Sequence, residues 1–369
     1  MRFPEFSGEW ERKKLGDIGT TLIGLTYSPQ DVVTSDGIIV LRSSNIKGGL
    51  LDYTDLVRVN KKIKETIITR TNDILICARN GSARLTGKNA ILKDSDCGHT
   101  FGAFMMVYRS EDNPFVHQLL STKRYYSQVA ENLGARINQI TTSDLNSFEF
   151  SFPQSNKEKV KIAGVLSLLD ERIATQIKII EKLESLIKGL YERLFNIDGA
   201  AYIQLGNVAK IQKGQQINGE ELSEIGSYYV MNGGVVPSGY LEDFNTPANT
   251  ISISEGGNSC GYVQYNGVPF WSGGHCYTLI EPINSFNYKY LFHYLKFKEQ
   301  SIMALRIGSG LPNIQKKDLE RFPILNVSKE EQDKMACIFD DILDRIICER
   351  QIALKYEEQK KYLLSNLFI

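Results

Sequence analysis

The chain has no hydrophobic run near the roughly 18 residues that a membrane-spanning helix needs. Its opening, MRFPEFSGEWERKK, lacks the apolar segment of a secretory signal. A cytoplasmic protein is the expectation. Net charge is absent as well, because 43 Lys and Arg balance 43 Asp and Glu. A protein that coats nucleic acid indiscriminately is not built that way. Histidine is scarce, with four in 369 residues, and the six cysteines (Cys77, Cys97, Cys260, Cys276, Cys337, Cys348) form no C-x-x-C pair. No H-E-x-x-H motif or ligand-spaced carboxylate accompanies the histidines, so no metal site is expected. The cysteines read as buried reduced thiols.

Catalytic signatures are missing too. GSARLTGKN, 81–89, falls short of a phosphate loop: five residues separate Gly81 from Gly87 where four are required, and Asn89 stands where Ser or Thr would hold magnesium. EGGNSCG, 255–261, has no following Lys-Ser/Thr and no dinucleotide spacing. A nucleophile elbow is not expected anywhere. Asn113-Pro114-Phe115 is one residue short of the N-P-P-aromatic signature of amino-group DNA methyltransferases, without a glycine-rich cofactor loop beside it. The chain reads as a binder with no cofactor of its own.

What is present is a repeat. RINQITTSDLNSFEFS at 136–151 returns as GLPNIQKKDLERFPIL at 310–325, with Ile140, Asp144, Leu145 and Phe148 meeting Ile314, Asp318, Leu319 and Phe322 at an offset of 174. LGDI at 15–18 returns as LGNV at 205–208, and Gly24 meets Gly214, at an offset of 190. Gly98-His99 pairs with Gly274-His275, and His117 with His293, both at 176; Leu190 and Phe195 meet Leu363 and Phe368 at 173. A steadily falling offset is what two homologous halves with a few deletions produce. On this reading all four histidines fall into two matched, structural pairs. Asp144 and Asp318 are expected to cap helices or turns.

Each copy has one internal order. Short apolar runs read as strands: IIVL from 38, DILIC from 73, AFMMVY from 103, TISIS from 250. NGG at 232–234 reads as a turn, and helices are expected near 114–132 and 287–305. A long charged helix closes each copy. In the first, Leu166, Ile173, Ile180, Ile187 and Leu194 recur every seven residues, with Leu169, Leu183 and Leu190 at the d positions and Gln176 in the remaining one. In the second, Phe339, Ile346, Ala353, Lys360 and Leu367 hold a positions, and Ile342, Glu349, Tyr356 and Leu363 hold d positions. Gln176 and Glu349 thus occupy one polar layer, and Lys360 makes the second seam less clean. The fold class is α/β (α+β): two recognition heads in an internal repeat, separated by two long helices that form an antiparallel coiled coil with pseudo-twofold symmetry. The expected boundaries are 1–155 and 197–330 for the heads, 156–196 and 331–369 for the helices.

Two heads on paired helices form a caliper, suited to a duplex read at two separated stretches. A helix of about 35 residues spans ~53 Å, which allows at most about 15 base pairs between heads. The order of head, helix, head, helix resembles the specificity subunit of type I restriction–modification systems. The phrases that carry the likeness are RFPEFSGEWERKKLGDI, DILICARNGSA, GARINQITTSDLNSFEF and LSLLDERIATQIKIIEKLESLIKGLYERLF, with their second-copy partners. The resemblance implies two target recognition domains reading a split, asymmetric sequence in double-stranded DNA. It implies helices that set the spacing and dock two methyltransferase subunits, with restriction subunits joining afterwards. S-adenosylmethionine, ATP and magnesium would belong to those partners.

Charge marks only the first head: residues 42–88 hold ten Lys/Arg against four Asp/Glu, whereas 196–330 hold ten against twelve. Arg suits guanine, and Asn or Gln suits adenine. The expected DNA contacts in the first head are Arg42, Ser43, Asn45, Lys47, Arg79, Asn80, Ser82, Lys88, Arg136, Asn138 and Gln139. In the second they are Lys213, Gln215, Asn232, Glu255, Asn258, Arg306, Asn313 and Gln315. Glycines 81, 233, 256 and 257 would let backbone approach phosphates. Two rivals stand beside this reading: a self-sufficient DNA methyltransferase or nuclease fused to its recognition module, and a coiled-coil scaffold unconcerned with DNA.

Overall fold

The computed structural model describes residues 2–133, 138–308, 310 and 312–368. The chain divides into two units, residues 1–175 with 352–369, and residues 176–351. Each unit holds one head and a part of each long helix.

In the first unit four antiparallel strands lie in the order Thr20–Ile23, Met105–Arg109, Ile74–Cys77, Asn89–Ile91. The central strands are apolar at consecutive positions because both sheet faces are covered. Ile74, Ile76, Met106 and Tyr108 join a core with Phe115, Val116 and Leu119 of the helix Asn113–Leu119. Leu75, Cys77, Met105 and Val107 point the other way, onto Ile39, Leu41 and Phe101 of a second sheet. That second sheet contains Ile38–Leu41, paired in parallel with Thr100–Phe101.

The second unit repeats the order with Lys210–Lys213, Cys276–Ile280, Thr250–Ser254 and Val263–Asn266. Tyr228–Met231 pairs in parallel with Trp271–Ser272. One sheet face again feeds a large core through Ile251, Ile253, Tyr277 and Leu279. The other is buried and mostly polar: beside a small apolar cluster of Cys276, Met231 and Phe270, Asn266 organises it. Its Nδ2 donates to the Thr250 carbonyl (2.8 Å) and to Ser252 Oγ (2.9 Å), while its Oδ1 accepts from Tyr229 (2.9 Å).

The strands read from sequence are present at Ile38–Leu41, Ile74–Cys77, Met105–Arg109 and Thr250–Ser254. Each expected head helix is two pieces: Asn113–Leu119 and Lys123–Asn132, then Tyr288–Phe297 and Glu299–Met303. The first break has a local cause. Thr122 leaves the helical conformation and its hydroxyl accepts from the Tyr125 N–H, starting a new helix.

The long helices are Asn156–Phe195 and Lys329–Leu367. Ser328 and Glu331 make a reciprocal cap at the start of the second, the Glu331 N–H meeting Ser328 Oγ at 3.3 Å and the Ser328 N–H meeting Glu331 Oε2 at 3.0 Å. The Ser328 hydroxyl, which donates to the same carboxylate at 2.6 Å, and then the Ser328 N–H hold the Glu331 carboxyl below its usual range. The first helix begins on a buried Glu158, which takes both Nε and Nη2 of Arg2 at 2.7 Å.

Within each unit the helices run antiparallel. In the first, Asp170 meets Lys360 (2.5 Å) and Arg172 lies over the Tyr356 ring (5.9 Å). In the second, Glu184 meets Arg350 (2.5 Å), and Tyr191 and Phe195 pack on Phe339 at 4.6 and 5.3 Å. The seam residues face inward: Leu166, Ile187, Phe339, Ile346 and Leu367 are buried, and Ile173, Ile180, Leu194 and Leu363 are half-buried. Lys360 is tolerated at a seam position because Asp170 neutralises it. Gln176 and Glu349 are both buried, with Arg345 placed against the carboxylate one turn away.

Candidate nucleic-acid interface

Both heads build one corner from the same backbone hydrogen bonds. In the first, Ala78 N–H donates to the Phe104 carbonyl (2.9 Å), Ile140 N–H to that of Ala78 (2.8 Å), and Asn80 N–H to that of Asn138 (3.2 Å). In the second, Glu255 N–H donates to His275 (2.9 Å), Ile314 N–H to Glu255 (2.9 Å), and Gly257 N–H to Pro312 (3.0 Å). Ala78 therefore corresponds to Glu255, Phe104 to His275 and Ile140 to Ile314. The offset of 174 at Ile140 is thereby upheld. A Cβ on Gly24 would come within 2.2 Å of the Gly102 carbonyl oxygen, and one on Gly214 equally near that of Gly273. Both positions need glycine for the same close backbone approach.

This register corrects two sequence expectations. Gly102 stands where Gly273 does, so the offset dips to 171 there and does not fall steadily. His99 consequently does not correspond to His275, whose counterpart is Phe104. The second correction concerns the nucleophile elbow. Gly257-Asn258-Ser259-Cys260-Gly261 does have the G-x-S-x-G spacing. It leads from strand Thr250–Ser254 to strand Val263–Asn266, without the helix that an elbow requires. Among the described residues no group of three His, Cys, Asp or Glu is placed to hold a metal.

The expected contact residues of the first head converge on this corner. Asn80 Nδ2 donates to Ser43 Oγ (3.2 Å) and its Oδ1 accepts from Ser82 N–H (3.0 Å). Lys88 Nζ reaches the Ile46 carbonyl (3.1 Å), Asn138 Nδ2 the Gly81 carbonyl (3.0 Å), and Gln139 bridges Arg79. Several are occupied within the loop. Asn45 is fully buried, accepts from Arg42 N–H (2.9 Å) and donates to the carbonyls of Asp52 (3.0 Å) and Asp55 (2.8 Å). Arg42 pairs with Asp55 (2.7 Å) and Lys47 with Asp52. Arg79 and Ser82 remain exposed, the Arg79 guanidinium lying 5.1 Å from the centre of the Phe104 ring. Arg136 lies outside the described residues.

In the second head Glu255 is the hub. Its Oε1 accepts from Lys213 Nζ (2.6 Å) and from Tyr277 OH (3.1 Å). Its Oε2 is buried without a hydrogen bond, with His275 Nδ1 3.6 Å away. Burial, then the Glu255 charge, raise the Tyr277 hydroxyl above its usual range, so it stays a donor. Asn232 Oδ1 accepts from His275 N–H (3.1 Å), and Gln315 Nε2 donates to Asn313 Oδ1 (3.0 Å). Asn313 also bridges Gly256 and Ile307, next to the exposed Arg306. Gln215 and Asn258 are exposed beside this group, Gln215 accepting at its carbonyl from Trp271 Nε1 (3.3 Å). Burial pushes the Cys276 thiol up to about 11 and raises those of Cys77 and Cys260, which keeps all three protonated and unreactive. Phe104, His275 and Tyr277 were not anticipated, and the first two are brought into register only by the hydrogen bonds of the fold.

The family pattern described as "Type I restriction modification DNA specificity domain" matches the chain twice, at residues 7–185 and 198–357. The chain belongs to that family. Among its relatives, a putative type I specificity subunit of Mycoplasma genitalium is 27% identical over 247 residues, 63% of each chain. Another, of Mycoplasma pneumoniae, is 37% identical over 122 residues, 32% of each chain. The alignment thus spans just under two thirds of the length of the first relative. The crystal structure of a type I S subunit from M. genitalium matches all of this chain and 99% of its own with a TM-score of 0.77 at 20% identity. That likeness establishes the shared fold: two specificity domains, each with a long helix behind it.

Proposed function

We propose that this specificity-domain chain is the non-catalytic DNA-reading subunit of a type I restriction–modification complex, acting in the cytoplasm on double-stranded DNA. Residues 1–155 and 197–330 are its target recognition domains, and 156–196 and 331–369 its spacer helices. One observation carries this reading: an identical backbone corner is built twice and holds different side chains, which suits a split, asymmetric target. Arg79 and Ser82 in one head, and Asn258, Arg306, Asn313 and Gln315 in the other, offer the exposed hydrogen-bonding groups that base edges require. The helices expose large apolar side chains outward, Leu168 and Tyr362 in the first unit, Leu186 and Ile347 in the second. Such surface on a charged helix supports docking of methyltransferase subunits, with restriction subunits joining the assembly. S-adenosylmethionine, ATP and magnesium would be bound by those partners.

The test is to co-express the chain with its cognate methyltransferase subunit in an unmethylated host and map methyladenine by single-molecule sequencing. A split motif with a fixed gap, lost when this chain is omitted, is the expected result. An unsplit motif, or methylation independent of the chain, would overturn the proposal. Insertion of four residues into the central helix should lengthen the gap by about one to two base pairs.

A further inference from the structure

We infer that His275, oriented by Glu255, selects one base of the second head's half-site, an adenine or cytosine recognised through its exocyclic amino group. The inference rests on the DNA-reading role proposed above and adds a residue and a chemistry to it.

The equivalent positions make the case. At the corner of the first head stand Ala78, Arg79 and Phe104; at that of the second stand Glu255, Gly256 and His275. The first head offers a guanidinium above an aromatic ring, with no acceptor for its N–H groups among the described residues. In the second head a glycine replaces the arginine, and a carboxylate is buried where the first has a methyl group. That carboxylate uses one oxygen for Lys213 and Tyr277 and leaves the other buried and facing His275 Nδ1. A buried carboxylate oxygen without a partner is costly, so the proton on the imidazole is favoured at Nδ1. Nε2 is then the acceptor. The His275 side chain is 59% exposed, so that lone pair is available to a ligand. In the major groove an acceptor pairs with the N4 amino group of cytosine or the N6 amino group of adenine. Glu255 acts through His275 and is a positioning residue.

The experiment compares wild type, His275→Ala, His275→Gln and Glu255→Gln, each co-expressed with the methyltransferase subunit, by motif mapping and by binding of the assembled complex to duplexes varied one position at a time. His275→Ala should reduce discrimination at one position of the second half-site by about ten-fold and leave the first half-site unchanged. Glu255→Gln should relax that same position, and combining it with His275→Ala in one chain should relax it no further. Equal weakening at every second-half position would identify a phosphate or structural contact and overturn the inference, as would unchanged specificity. Selectivity at the first half-site reports that each variant has assembled, and His275→Gln, which keeps a polar side chain, serves if the alanine variant does not. Failure of the DNA-reading role itself shows differently, as a wild-type complex with no split motif.

Discussion

The two heads share a backbone frame but are held together by different chemistry. Behind its sheet the first head packs Leu75, Cys77, Met105 and Val107 against Ile39, Leu41 and Phe101. At the same place the second head buries Thr250, Ser252, Ser254, Thr278 and Asn266, which bond to one another and to Tyr229 and main-chain carbonyls. The frame therefore specifies hydrogen bonds and strand order, not side-chain identity. A buried surface that tolerates Leu in one copy and Ser in the other leaves the exposed corner freer still, and that freedom lets two copies of one unit present unlike surfaces.

The comparison can be broken most directly at those cores. Leu75→Ala should destabilise the first head by about 3 kcal/mol through a cavity, and hydrogen exchange should place the loss there and not in the second head. Asn266→Ala should cost the second head about 2 kcal/mol, because Ser252, Tyr229 and the Thr250 carbonyl lose their partner. If Asn266→Ala is silent, the polar face contributes nothing and the contrast fails.

Acid should separate the units as well. Burial depresses the His117 pKa to about 4, Asp170 opposing and Lys360 adding to the shift. His293 is also lowered by burial, but Asp340 bonds to its Nε2 at 2.9 Å and raises it. Between the unfolded value of 6.5 and about 4, the unfolded chain holds a proton that folded His117 does not. Stability is thus full above pH 6.5 and is lost as pH falls, by about 2 kcal/mol at pH 5. His117→Gln should flatten the pH dependence of unfolding in the first unit, more than His293→Gln does in the second.

The smallest effect concerns the corner. Arg79→Gly, which gives the first head the second's residue, should relax discrimination at one base of its half-site by about ten-fold. For the reverse change, Gly256→Arg, a Cβ comes no closer than 3.4 Å to the Pro312 carbonyl oxygen, an ordinary contact, so the backbone there accepts a side chain and the second half-site should change. Methylation mapping reads both outcomes.

Much of this was legible in the sequence, and the reason is periodicity. The heptads announced the long helices, TISIS and ILIC announced strands, and the phrase around Ile140 and Ile314 recurred because buried Ile, Leu and Phe seal each head in the same way. Pairing of His99 with His275 failed because loops of unequal length intervene, and only hydrogen-bond register ties Phe104 to His275. Site residues were legible by type but not by availability. Asn45 looks like a base reader until its amide is seen bonded inside its own loop. Asp144 bonds Thr141 N–H at 2.7 Å and caps its helix as expected, while Asp318 makes no such bond among the described residues.

By itself, then, the sequence determined the doubling and the long helices, since each is written in local spacing. Tertiary structure decided which polar groups are spent and which are free. Hydrogen-bond partners come from segments far apart in the chain, and burial is a property of the folded surface.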